Sequence, residues 1–137
     1  MADYFFYGSL MDADVLSAVA GERIPPGRLI PARLPGYERL GMRHGVFPTL
    51  VEYPGAEVAG MLVRGIDADV ARRLARYEGP GYILARRTVT TADGPIEANV
   101  FILMRPGRTS GKIWDFETWC RRHKRRLLRA LAKDRAR

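Results

Sequence analysis

Tyr4-Phe5-Phe6-Tyr7-Gly8-Ser9-Leu10 decides how this chain is read. Four consecutive aromatic residues favour extended backbone with burial on both faces, so the run is expected to be a central strand and not an edge hairpin. Gly8 lets the backbone leave the strand sharply and leaves room for a ligand to approach the peptide groups. Beyond it, Met11, Val15, Leu16 and Val19 recur at helical spacing, and Gly21 stops the pattern. Strand, glycine turn and helix start together aim backbone N–H groups at an anion. No G-x-G-x-x-G or G-K-[ST] follows, which excludes a dinucleotide or triphosphate reading.

Outward from that stretch, the 137 residues have room for one domain with one core, and 47% hydrophobic against 28% charged residues is ordinary globular composition. Met1-Ala2-Asp3 lacks a basic leader region, and no apolar run approaches the roughly 18 residues that a membrane span needs. A single cysteine, Cys120, excludes an intrachain disulfide. These features point to the cytoplasm.

The net charge of +8 is confined to one place. Residues 1 to 120 carry 14 basic and 14 acidic side chains, whereas residues 121 to 137 carry nine basic ones against Asp134 alone. Phe116, Cys120, His123, Leu127 and Leu131 mark one apolar stripe through this tail, so residues 112 to 137 are expected to form a basic C-terminal helical extension. Its charged face reads as solvated, with nucleic-acid association as the alternative. Trp114 and Trp119 are expected to dock the helix.

Between the ends, strands and short helices alternate without repeats or linkers. Arg28 to Met42 is extended but punctuated by Pro31, Pro35 and Gly36, as one kinked strand or two short ones. Gly45 to Val51 is a loop entering a short strand that closes at Tyr53-Pro54-Gly55, and Val58 to Val63 forms a buried strand. Asp67 then caps a helix with Val70, Leu74 and Tyr77 on one face. Arg87 to Thr91 and Ile96 to Met104 form a hairpin around Asp93-Gly94. Six or so strands and three helices predict an α+β domain with a small mixed β-barrel or strongly curved sheet.

Glu78 follows Tyr77 at the end of the Asp67 helix, before Gly79-Pro80-Gly81-Tyr82. There the helix dipole is negative and disfavours an acid by a few tenths to about 1 kcal/mol. The dipole and partial dehydration by Tyr77 and Tyr82 both raise the pKa toward the range of a general base.

In order and spacing, Tyr7-Gly8-Ser9-Leu10, Val58-x-Gly60-x-Leu62 and Tyr77-Glu78-Gly79 with Tyr82 resemble the gamma-glutamylcyclotransferase-like family, which includes the AIG2-like proteins. The resemblance spans Tyr4 to about Met104. It implies cyclisation of a γ-glutamyl group to 5-oxoproline with release of an amine or amino acid, without metal or cofactor. It further implies that Glu78 is the catalytic acid/base and that Tyr7, Gly8, Ser9, Leu10 and Tyr82 line the substrate pocket. The chain departs from the family's pattern at Ala75, where an acid is common, and at Leu84, where an arginine is common. A non-catalytic module of the same fold, binding small carboxylates, is the alternative to an enzyme.

No competing chemistry is well supplied. Ser9, Ser17 and Ser110 do not stand in G-x-S-x-G. His44 and His123 lack metal-ligand spacing, and Cys120 lies on an apolar stripe.

Overall fold

The computed structural model describes residues 1–105 and 107–135. Six strands run as β1 (Ala2–Phe6), β2 (Ile30–Met42), β3 (Pro48–Ile66), β4 (Tyr82–Thr91), β5 (Gly94–Leu103) and β6 (Thr109–Ile113), with helices α1 (Ala13–Ala20), α2 (Ala68–Glu78) and α3 (Phe116–Arg135). The strand order is β3-β1-β5-β4-β2-β6, and an additional pairing of β2 with β3 closes the first five into a barrel. All pairings are antiparallel except β1 with β5, where Tyr4 lies opposite Asn99.

β1 is central, as its composition predicts, with β3 on one side and β5 on the other. Its alternating side chains serve two cores. Phe5 and Tyr7 join Leu34, Leu62, Val89 and Val100 inside the barrel. Tyr4 and Phe6 face outward into a second core, where Val15, Leu16, Leu74 and Trp119 from the three helices cover the barrel wall. Gly60 on β3 makes this close packing feasible, because a Cβ there would lie 2.4 Å from the Phe6 carbonyl oxygen and 2.5 Å from the Phe5 ring.

The helix starts are locally encoded. The Asp12 carboxylate accepts a hydrogen bond from the Val15 N–H at 3.0 Å, and Asp67 does the same for Val70 at 2.9 Å. Met11, assigned from its spacing to the first helix, sits in a separate 3-10 turn over Ser9–Met11. Gly21, in the left-handed region at φ 73°, terminates α1.

Several strand boundaries differ from expectation. The two strands predicted on either side of Tyr53-Pro54-Gly55 are one strand, β3. The turn signal there marks an irregularity: pairing with β2 jumps from Pro35↔Glu57 to Tyr37↔Glu52. β4 begins at Tyr82, five residues before the predicted start, because Tyr82 to Arg86 pair with Arg86's neighbours on β5 from Leu103 to Asn99. β6 was not expected; its Thr-Ser-Gly-Lys-Ile sequence lacks alternation, and it is held by pairing Leu40↔Ile113 and Met42↔Thr109 on β2.

α3 lies against the barrel and α1. Trp119 is 2% exposed, and Trp114 donates its indole N–H to the Val46 carbonyl at 2.9 Å. The Lys124 ammonium bridges Asp12 at 2.8 Å and Asp14 at 2.9 Å on α1. Leu127, Leu128 and Leu131 pack inward while Arg121, Arg122, Arg125, Arg126, Arg129 and Lys133 are exposed. Ala136 and Arg137 lie outside the described residues.

Candidate active site

The barrel mouth opens where β1 ends. Tyr7 leaves the strand with its phenol donating to the Phe101 carbonyl at 2.6 Å, and the chain enters the 3-10 turn through Gly8. Gly8 has φ −123°, so space and not a left-handed backbone is at issue: a Cβ would press on the Pro48 ring at 3.3 Å. The Ser9 hydroxyl is 2.7 Å from the Tyr77 hydroxyl, tying the turn to the last turn of α2. Leu10, 2% exposed, anchors the turn in the helical core.

Glu78 is the last residue of α2, and Gly79, at φ 93°, redirects the chain toward Tyr82. The Tyr82 N–H closes this reversal on the Gly79 carbonyl at 3.3 Å. Tyr7, Gly8, Ser9, Leu10, Glu78 and Tyr82 therefore line one groove, although the first and the last lie 75 positions apart in sequence.

The electrostatics of this groove centre on Glu78. Its carboxyl retains contact with the groove, yet the protein wall removes most of its water and raises its pKa to about 7. Burial is the whole cause, with no cation or hydrogen bond among the described residues offsetting it. The surrounding phenols respond in turn. Burial, with a contribution from the negative charge of Glu78, raises Tyr7 and Tyr82, and brings Tyr77 to about 12 against the opposing hydrogen bond from Ser9. All three remain neutral, leaving Glu78 as the group here that exchanges a proton near neutrality.

Two features of this site had no sequence signal of their own. Arg39 on β2 ties down the end of β1: one guanidinium nitrogen donates to the Tyr7 carbonyl at 3.0 Å and the Ala59 carbonyl at 2.9 Å, and the guanidinium lies 5.2 Å from the Trp114 ring centre. It fixes the residue from which the turn departs. The second is α3. The groove encloses about 1190 Å³ and runs on from Glu78 between α1 and α2, past Val19 and Arg76, to a wall made by Leu127, Leu131 and Asp134. The helical tail thus forms one side of the groove.

Among the described residues no group of three or more His, Cys, Asp or Glu could hold a metal ion. No helix in the described residues is long and apolar enough to cross a membrane.

Comparison with known proteins matches this geometry to a family. AIG2-like protein A of Arabidopsis thaliana is 27% identical over 132 residues, covering 94% of this chain and 78% of its own length. AIG2-like protein B of the same plant is 26% identical over 133 residues, with 94% and 75% covered. A solution structure of an Arabidopsis thaliana protein superimposes with a TM-score of 0.70 at 26% identity, covering 94% of this chain and 87% of that one. A solved gamma-glutamyl cyclotransferase shares the fold with a TM-score of 0.58 at 20% identity, over 79% and 69% of the two chains. The family model for gamma-glutamyl cyclotransferase, AIG2-like proteins matches residues 4–121, and the chain belongs to that family.

Proposed function

We propose that the protein is a cyclotransferase that converts the γ-glutamyl group of a γ-glutamyl amine or amino acid to 5-oxoproline and releases the amine. One observation carries this reading: the Glu78 carboxyl, raised to about 7 and without an ion pair among the described residues, faces a groove large enough for such a substrate.

The reaction needs little else. Its nucleophile is the substrate's own α-amine, which must lose a proton before attacking the γ-carbonyl carbon. Glu78 takes that proton. A C–N bond forms to close the five-membered ring; the attacking nitrogen gives up its second proton as the C–N bond to the leaving amine breaks, and Glu78 relays both protons to that amine, which departs as its ammonium. Acid/base assistance of this kind contributes about 10²- to 10⁴-fold. The backbone around Gly8, Ser9 and Leu10 holds the substrate carboxylate or the developing oxyanion, and Tyr7 and Tyr82 flank the glutamyl chain. Holding that chain in its ring-closing shape lowers the entropic barrier. Arg39, by fixing the Tyr7 carbonyl, keeps the turn in register with Glu78.

The test is 5-oxoproline release from a panel of γ-glutamyl amines and amino acids, comparing the native chain with Glu78→Gln. Release that the substitution lowers at least 100-fold, with substrate binding retained, supports the assignment. Binding without release by the native chain would instead make this a carboxylate-binding module.

A further inference from the structure

We infer that the outer face of α3 is a docking surface for the phosphate backbone of a nucleic acid, independent of the groove. At about 100° per residue, Arg121, Arg125, Arg129, Arg122, Lys133 and Arg126 occupy one arc of about 140°. Every one is exposed, and no acid interrupts them. Asp134, the tail's single acid, lines the groove on the other side. Lys124 is also withdrawn from the arc, because it is tied to Asp12 and Asp14. Arg121 has a near neighbour, donating to the Thr118 hydroxyl at 3.3 Å. Among the described residues none of the six forms an ion pair.

A merely solvated helix face does not need this arrangement. Mixed charges serve solvation, and opposite signs four residues apart support the helix; here Arg121/Arg125, Arg125/Arg129, Arg129/Lys133 and Arg122/Arg126 place like charges at that spacing. The helix dipole favours cations only in the last turn, which accounts for Lys133 and not for the arginines before it. A polyanion relieves the mutual repulsion of all six at once.

The dimensions select the partner. From Arg121 to Lys133 the helix rises about 18 Å, one cation per about 3 Å, close to the roughly 3.4 Å per phosphate along one DNA strand. Five of the six are arginine, whose planar fork meets phosphate oxygens bidentately. An anionic membrane fits less well. Leu127, Leu128 and Leu131 pack against the core, which leaves the arc only Ala132, too small to insert among headgroups. With no aromatic on the arc to stack on bases, binding is sequence-independent.

The experiment titrates the full chain against a fluorescent 20-nucleotide oligo(dT) at 50 to 200 mM salt. With about six phosphates neutralised, log–log slope near −4, affinity is expected to fall about 250-fold over this range. Substituting Arg122, Arg125, Arg126 and Arg129 by Gln, a residue of similar helix propensity, is expected to reduce that fall to less than about 10-fold, with the circular dichroism spectrum unchanged. The proposal is overturned by absence of binding at 50 mM salt, by a salt slope that the four substitutions leave unchanged, or by tighter binding to vesicles containing phosphatidylserine than to the oligonucleotide.

Discussion

Two helix ends, the start of α1 and the end of α2, carry acids in opposite circumstances. Asp12, at the start of α1, accepts from the Val15 N–H and from Lys124, and lies where the helix dipole favours negative charge. Glu78, at the end of α2, has the dipole against it, lies among phenols and forms no ion pair among the described residues. The first carboxylate holds the fold together by fastening α3 to α1. The second is held by the fold in a state it would leave if water could reach it. The difference separates a structural acid from one available for proton transfer: partners stabilise charge, and their absence near pH 7 leaves a carboxyl able to exchange it.

This contrast can be broken most visibly by pH. If Glu78 must be ionised in the free enzyme, kcat/KM for 5-oxoproline release is expected to fall about 100-fold from pH 8 to pH 5, with the midpoint near 7 set by its raised pKa. A flat profile across that range would remove Glu78 from the proton transfer.

Stability sharpens the same point with the opposite sign. Glu78 has its folded pKa raised from 4.5 to about 7, so the folded state binds its proton more tightly than the unfolded chain. That contribution is fully present below about pH 4.5 and is lost as pH rises through 7. Glu78→Gln is therefore expected to stabilise the protein by about 2 kcal/mol at pH 8 and to have little effect at pH 4, measured by urea unfolding. The loss of turnover and the gain of stability should appear in the same variant.

The structural pair should behave otherwise. Its two carboxylates raise Lys124 above its ordinary 10.5, so the contribution persists below that value and is lost only in stronger alkali. Lys124→Met is expected to lower stability by about 1 kcal/mol throughout pH 6 to 9, seen as a fall of about 4 °C in thermal midpoint. A stability loss that vanished at pH 8 would show that the tie between α1 and α3 is not ionic.

What was legible in the sequence follows from how far each signal reaches along the chain. The aromatic run of β1, the aspartate caps of α1 and α2 and the glycine after Glu78 act within a few residues, and each is where its local chemistry requires. The raised pKa of Glu78 was readable in direction only through its dehydrating neighbours Tyr77 and Tyr82; the helix dipole expected to share in it does not, since burial alone raises the carboxyl. β6 and the continuity of β3 were not readable, because both depend on partners: β2 supplies the hydrogen bonds that make a strand of Thr109–Ile113 and carries β3 across its irregularity at Tyr53 to Ala56.

By itself the sequence determined the types of every element but β6, the residues able to do proton chemistry, and the concentration of the whole charge excess in its last seventeen residues. Only the tertiary structure decided that Tyr7, Ser9 and Tyr77 surround Glu78, that Arg39 fastens the turn, and that α3 turns Leu131 and Asp134 to the groove while presenting its arginines to solvent. The reason is the range of the forces. Capping, glycine turns and helical periodicity are set by neighbours in the chain, whereas desolvation of a carboxyl and closure of a barrel depend on surfaces that meet only after the chain has folded.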